Sequence, residues 1–157
     1  MPKAKSGQSA ETKAGARTMV DSPQELTNMI ATGLSASALI RKRIEAKGRV
    51  QSASRFDFAK NVAAPALAKA FNANKVWLFG SAARNEASSD SDIDLLVEGG
   101  ARLSAKARLS LAYDVVSSLD APCGCDVIIL TEDEIAAKAP IPFFRSILSE
   151  RKLVYGK

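Results

Sequence analysis

The stretch from Val76 to Val97, VWLFGSAARNEASSDSDIDLLV, constrains the fold more than any other part of the chain. It opens on an apolar run (Val76, Trp77, Leu78, Phe79), breaks at Gly80-Ser81, crosses a small polar segment, and closes on Asp92-Ile93-Asp94-Leu95-Leu96-Val97. Both flanks have the length and composition of buried strands bounded by turn residues. Alternation along a strand puts Asp92 and Asp94 on one face and Ile93 and Leu95 in the core on the other. Two neighbouring carboxylates repel each other and are costly to desolvate unless a cation joins them. Oxygen-only ligands suit Mg²⁺, which takes one or two carboxylates and completes its shell with water and substrate phosphates. Gly80 lets the backbone turn sharply and approach a ligand, and a helix starting at Ser81 turns its N–H groups toward an anion. Metal ligands and a phosphate cradle at one sheet edge point to chemistry on a nucleoside triphosphate.

Composition narrows the alternatives. At 157 residues, 46% hydrophobic and 25% charged, the chain reads as a globular domain with room for a modest second element. No apolar run approaches the roughly 18 residues of a membrane span, and the basic N-terminus lacks a signal-peptide core, so a cytoplasmic location is expected. Without histidine, catalysis falls to carboxylates and metal. Cys123 and Cys125 are too few to hold zinc and read as reduced core or edge residues. Charge is uneven. Residues 1–75 carry thirteen Lys and Arg against five Asp and Glu, and residues 76–157 carry nine against twelve. A basic segment ahead of an acidic half suits a nucleic acid or an acidic partner, or is simply a solvated face.

Residues 1–20 are rich in Ala, Lys, Gly and Ser, a composition that predicts a disordered leader. A helical extension is expected over 21–55. Ser22-Pro23-Gln24-Glu25 reads as a helix start, with Gly33 as its stop. A second helix is expected from about Ser35 to Lys47, with Leu39, Ile40 and Ile44 inward and Gly48 after its end. The pair resembles a helix-turn-helix, in which Arg41, Lys42, Arg43, Lys47 and Arg49 would meet phosphates; ordinary helical hairpins share this pattern. Residues 56–72 predict an amphipathic helix with Phe58, Val62, Leu67 and Phe71 inward and a bend at Pro65. After the strands at 75–79 and 92–97, a helix is expected over 103–119 and a third strand over Cys125–Leu130. Thr131-x-x-Glu134 forms a capping box, Pro142 opens a last helix, and Lys152–Tyr155 can add a terminal strand. Asp126 is a lone acid in an apolar strand beside the Asp-x-Asp strand, and it needs a partner, a cation or water.

Gly80-Ser81, ten intervening residues, then Asp92-Ile93-Asp94 resembles the signature of the DNA polymerase β-like nucleotidyltransferase superfamily. The wording FGSAARNEASSDSDIDLLV is most similar to its small prokaryotic minimal nucleotidyltransferase (MNT) branch, home of the antitoxins of HEPN/MNT toxin–antitoxin pairs. The resemblance covers residues 56–157. It implies an α/β fold: a small mixed sheet with helices packed on one side, as in the polymerase β-like palm. It implies that Asp92, Asp94 and Asp126 hold two Mg²⁺ ions, with Asp126 as general base. Gly80, Ser81, Arg84 and Ser91 would meet the nucleotide, with Arg84 facing the triphosphate and Ser91 matching a Ser-Asp-x-Asp wording. Asn85 stands where the family usually has Gly; Asn tolerates a left-handed backbone, which keeps the turn possible. The implied reaction moves AMP from ATP to a hydroxyl, foremost a tyrosine of a HEPN toxin. A small-molecule (antibiotic) acceptor, a non-catalytic binding antitoxin and a DNA-binding regulator using residues 22–49 remain alternatives.

Overall fold

The structure is a computed structural model that describes residues 35–157. The leader and the helix expected at 22–33 lie outside the described residues. Lys42–Lys157 form one compact unit.

Helix α1 runs unbroken from Ala36 to Phe58, so Gly48 does not end it as expected. A lone glycine inside a helix costs only about 1 kcal/mol. Ile40 and Ile44, expected inward, are exposed. A π-helical turn, Ala59–Ala63, leads from α1 into α2, Ala64–Phe71. Pro65 in the first turn of α2 has no N–H for the ladder, and the wider turn ahead of it accommodates this. The turn also shifts the phase of the helix, so Val62 faces solvent while Ala59, Ala63, Ala64, Leu67 and Phe71 are buried.

Four strands follow: β1 Lys75–Phe79, β2 Ile93–Glu98, β3 Cys125–Leu130 and β4 Lys152–Gly156. They are ordered β3-β2-β1-β4, with β1 antiparallel to β2 and β4, and β2 parallel to β3. The mixed sheet is the one expected. A parallel pair needs a crossover, and α4, Ala105–Ser117, supplies it between β2 and β3. Three shorter helices complete the chain: α3 Gly80–Arg84, α5 Glu132–Lys138 and α6 Pro142–Glu150. Thr131 and Glu134 form the expected capping box at the start of α5.

Helices cover both faces of the sheet, not one. On the first face Val76, Leu78, Ile93, Leu95 and Val97 pack with the π-turn, α2 and Ala112 of α4. On the second, Trp77, Phe79, Leu96, Ile128 and Leu130 pack with Ile135 of α5 and with Phe144, Ile147 and Leu148 of α6. The reason lies in β2. Leu95 and Leu96 are adjacent, point to opposite faces, and are both fully buried. Each such side chain contributes about 1.5–3 kcal/mol only if its own face is covered. Among the described residues no helix is long and apolar enough to cross a membrane.

Candidate active site

The parallel register of β2 and β3 pairs Ile93 with Cys125 and Asp94 with Asp126. Asp94 and Asp126 therefore stand side by side on one face, the face that carries Leu96 and Ile128 toward α6. On its other side Asp94 abuts Gly80, because a Cβ there would come within 3.0 Å of the Asp94 carboxyl carbon. Asp92 precedes β2 and is exposed; its carboxyl carbon lies 2.9 Å from where a Cβ on Gly124 would stand. The Ile93 N–H donates to the Gly124 carbonyl at 2.8 Å, which fixes this end of the strand pair.

Gly80 makes the turn out of β1 at φ +71°, where a side chain would be strained and would also meet Asp94. Helix α3 then buries Ala82 and Ala83 and ends at Asn85, left-handed at φ 64°, as its tolerance for that region allows. Gly80, Ser81, Arg84, Asp94 and Asp126 line one cleft of about 670 Å³, closed on its far side by Phe143, Ser146, Ile147 and Glu150 of α6. Five of the seven expected site residues thus meet. Asp92 and Ser91 do not line the cleft. The Ser91 hydroxyl accepts the Ser88 N–H at 2.8 Å, capping the loop.

Glu150 escaped the sequence reading. Its carboxylate accepts the Gly80 N–H at 2.9 Å and the Arg84 Nη1–H at 2.7 Å. Arg84 also donates to Glu86 at 2.8 Å, and Glu86 and then Glu150 hold its guanidinium above the ordinary arginine range. Nothing local marks Glu150, a polar residue at the end of a short helix; only the tertiary fold brings it to Gly80.

Burial raises the Asp94 carboxyl above the usual carboxylate range, and the charges of Asp126, Asp92 and Glu150 add to this against the pull of Arg84. Among the described residues no three or more Asp, Glu, Cys or His stand as a ready-made metal cage. The Asp94–Asp126 pair, with Asp92 near enough to be felt, nevertheless fits a hard cation that needs one or two carboxylates and takes its other ligands from water and substrate. Cys123 and Cys125 carry free thiols, and burial pushes Cys125 up to about 11, so it remains protonated at neutral pH.

A family model described as Polymerase beta, Nucleotidyltransferase matches residues 62–157. The chain belongs to this nucleotidyltransferase family. The matched region contains the sheet, Gly80-Ser81 and Asp92, Asp94 and Asp126; all of α1 precedes it. No curated protein matches the chain. Solved structures similar to it include the following two. One is a toxin–antitoxin with AMP-PNP, at 24% identity and TM-score 0.43, covering 58% of this chain and 68% of that one. The other is a candidate nucleotidyltransferase from Sulfolobus solfataricus, at 23% identity and TM-score 0.49, covering 71% of this chain and 89% of that one.

Proposed function

We propose that this nucleotidyltransferase transfers AMP from ATP to a hydroxyl with the help of Mg²⁺, and that its acceptor is a tyrosine of a HEPN-type toxin, which it silences as an antitoxin. The observation that carries the transfer reading is the Asp94–Asp126 register pair facing Gly80 and Arg84 across one cleft. The acceptor reading rests on the likeness of the Phe79–Val97 wording to the MNT branch.

Asp92, Asp94 and Asp126 would hold two Mg²⁺ ions, which neutralise triphosphate charge and acidify the attacking hydroxyl when bound. The Gly80 N–H and the Arg84 guanidinium, which donate to the Glu150 carboxylate, would offer their donors to phosphate oxygens. The acceptor oxygen bonds to the α-phosphorus, the bond from that phosphorus to the β-phosphate bridging oxygen breaks, and pyrophosphate leaves. Asp126, solvent-open on β3, takes the hydroxyl proton. The chain's part is positioning and charge placement.

The test pairs the chain with a purified HEPN-type toxin and ATP labelled at the α-phosphate. Label on a partner tyrosine, with loss of toxin activity, supports the proposal. Neutralisation that persists in Asp94→Asn without label would assign it to binding instead.

A further inference from the structure

The C-terminal half of α1 presses against the loop that joins α3 to β2. Three residues on one helical face, spaced i, i+4 and i+7, make the contact. Gly48 faces the loop: a Cβ there would stand in ordinary contact with it, 3.4 Å from the Asn85 carbonyl oxygen and 3.6 Å from that of Ala87. Ser52, 1% exposed, accepts the Ala87 N–H on its hydroxyl at 3.1 Å. Arg55, 3% exposed, donates from Nε to the Ser91 carbonyl at 2.9 Å and from Nη2 to the Ser89 carbonyl at 3.1 Å. Its Nη1 donates to the Gln51 side-chain oxygen at 2.8 Å, which orients the guanidinium.

A buried guanidinium is an expensive way to cover a loop. It costs desolvation and much rotamer freedom, and an apolar side chain would cover the same backbone at lower cost. What an apolar side chain cannot do is fix the direction of carbonyl groups, and the rigid fork of arginine fixes two at once. The second of them, on Ser91, belongs to the peptide that leads directly into Asp92. Apart from the buried Ala87 the loop is polar, and Ser88, Ser89 and Asp90 are exposed, so the clamp holds a segment with little core packing of its own.

We infer that Arg55, supported by Ser52 and Gly48, is a positioning residue for nucleotidyl transfer. It holds the loop between the Gly80-Ser81 turn and the Asp92-x-Asp94 strand so that Asp92 enters the site in a fixed orientation. Arg55 lies ahead of the family match, which begins at residue 62, so part of the helical extension serves the catalytic centre. The inference rests on the proposed transfer reaction.

The experiment uses the full chain with Arg55→Gln, Arg55→Lys and Ser52→Ala. Hydrogen exchange without nucleotide reads the loop directly. Arg55→Gln should speed exchange of the Ala87, Ser88 and Ser91 amides about tenfold or more and leave the β1 and β3 amides within about twofold. In transfer assays its kcat should fall about 10–10²-fold, with the ATP KM within about threefold and Arg55→Lys in between. Unchanged loop exchange, faster exchange throughout the sheet, or an undiminished kcat would each overturn the inference. A wild-type chain that transfers no nucleotide would overturn the reaction itself and the catalytic role of Arg55 with it, while the exchange data would still decide whether Arg55 clamps the loop.

Discussion

The carboxylate of Glu150 accepts the backbone N–H of Gly80 at 2.9 Å, across 70 residues of chain. Its other oxygen takes the Arg84 guanidinium. These are the donors assigned above to the nucleotide phosphates, so an incoming triphosphate must displace Glu150, whose charge also opposes ionisation of Asp94. Glu150→Gln should therefore bind ATP about threefold more tightly, while losing about 0.2–1 kcal/mol of stability with the ion pair, whose Arg84 side chain is 43% exposed. Calorimetric titration with ATP checks this. Weaker binding would make Glu150 part of the nucleotide site and not its competitor.

Asp94 predicts a pH signature. Its folded-state pKa is raised, so between the unfolded and folded values the native state holds more of the proton. The stabilising contribution is then full below the unfolded pKa and lost as pH rises through the folded one. At neutral pH the ionised, partly buried carboxylate costs stability, and Asp94→Asn should melt higher than wild type, with the gap closing as pH falls below the ordinary aspartate range. Thermal unfolding across pH measures it. A gap independent of pH would contradict the origin assigned to the shift. Mg²⁺ with ATP should raise the wild-type melting temperature and leave Asp94→Asn nearly unmoved.

Gly80 is constrained twice, by its φ of +71° and by the Asp94 carboxylate where its Cβ would stand. Gly80→Ala should cost about 1–3 kcal/mol through the backbone and push Asp94 off Asp126. Denaturant unfolding reads the first effect, and transfer activity lost from a still-folded protein reads the second. Activity near wild type would show that the close approach is incidental.

The site was legible where local sequence determines it. Gly80-Ser81 and Asp92-x-Asp94 sit at the ends of two adjacent strands, and the lone Asp126 in an apolar strand falls opposite Asp94 in register. Strands, the capping box and the Pro142 helix start follow from short-range rules, and the structure has each of them in its expected place. What was missed depends on tertiary contact. Gly48 reads as a helix stop, yet α1 continues through it, buried against the loop that joins α3 to β2, a contact between distant parts of the chain. Val62 falls out of the buried stripe because the π-turn shifts the phase, which no fixed 3.6-residue period anticipates. The helices on the second face cover Leu96, whose run with Leu95 held the hint that both sides of β2 are buried. Glu150 and Arg55 carry no local signal at all.

Asn85 ends α3 in the left-handed region at φ 64°. Asn85→Gly should be neutral or stabilising by up to about 1 kcal/mol, whereas Asn85→Val should cost about 1–2 kcal/mol, because a branched side chain clashes there. Melting temperatures of the two variants, taken together, test the assignment. Equal stabilities would place Asn85 outside that region.

In the proposed reaction Asp94 and Asp126 act together on the α-phosphate of a nucleotide held beside Gly80. The most direct measurement compares ATP labelled at the α- and γ-phosphates, with Mg²⁺ and the acceptor, in wild type, Asp94→Asn and Asp126→Asn. Label should pass to the acceptor from the α-position only, should stop on chelation and return with Mg²⁺, and should fall at least about 10²–10³-fold in each variant. Transfer of the γ-label, or full activity in Asp126→Asn, would contradict the account.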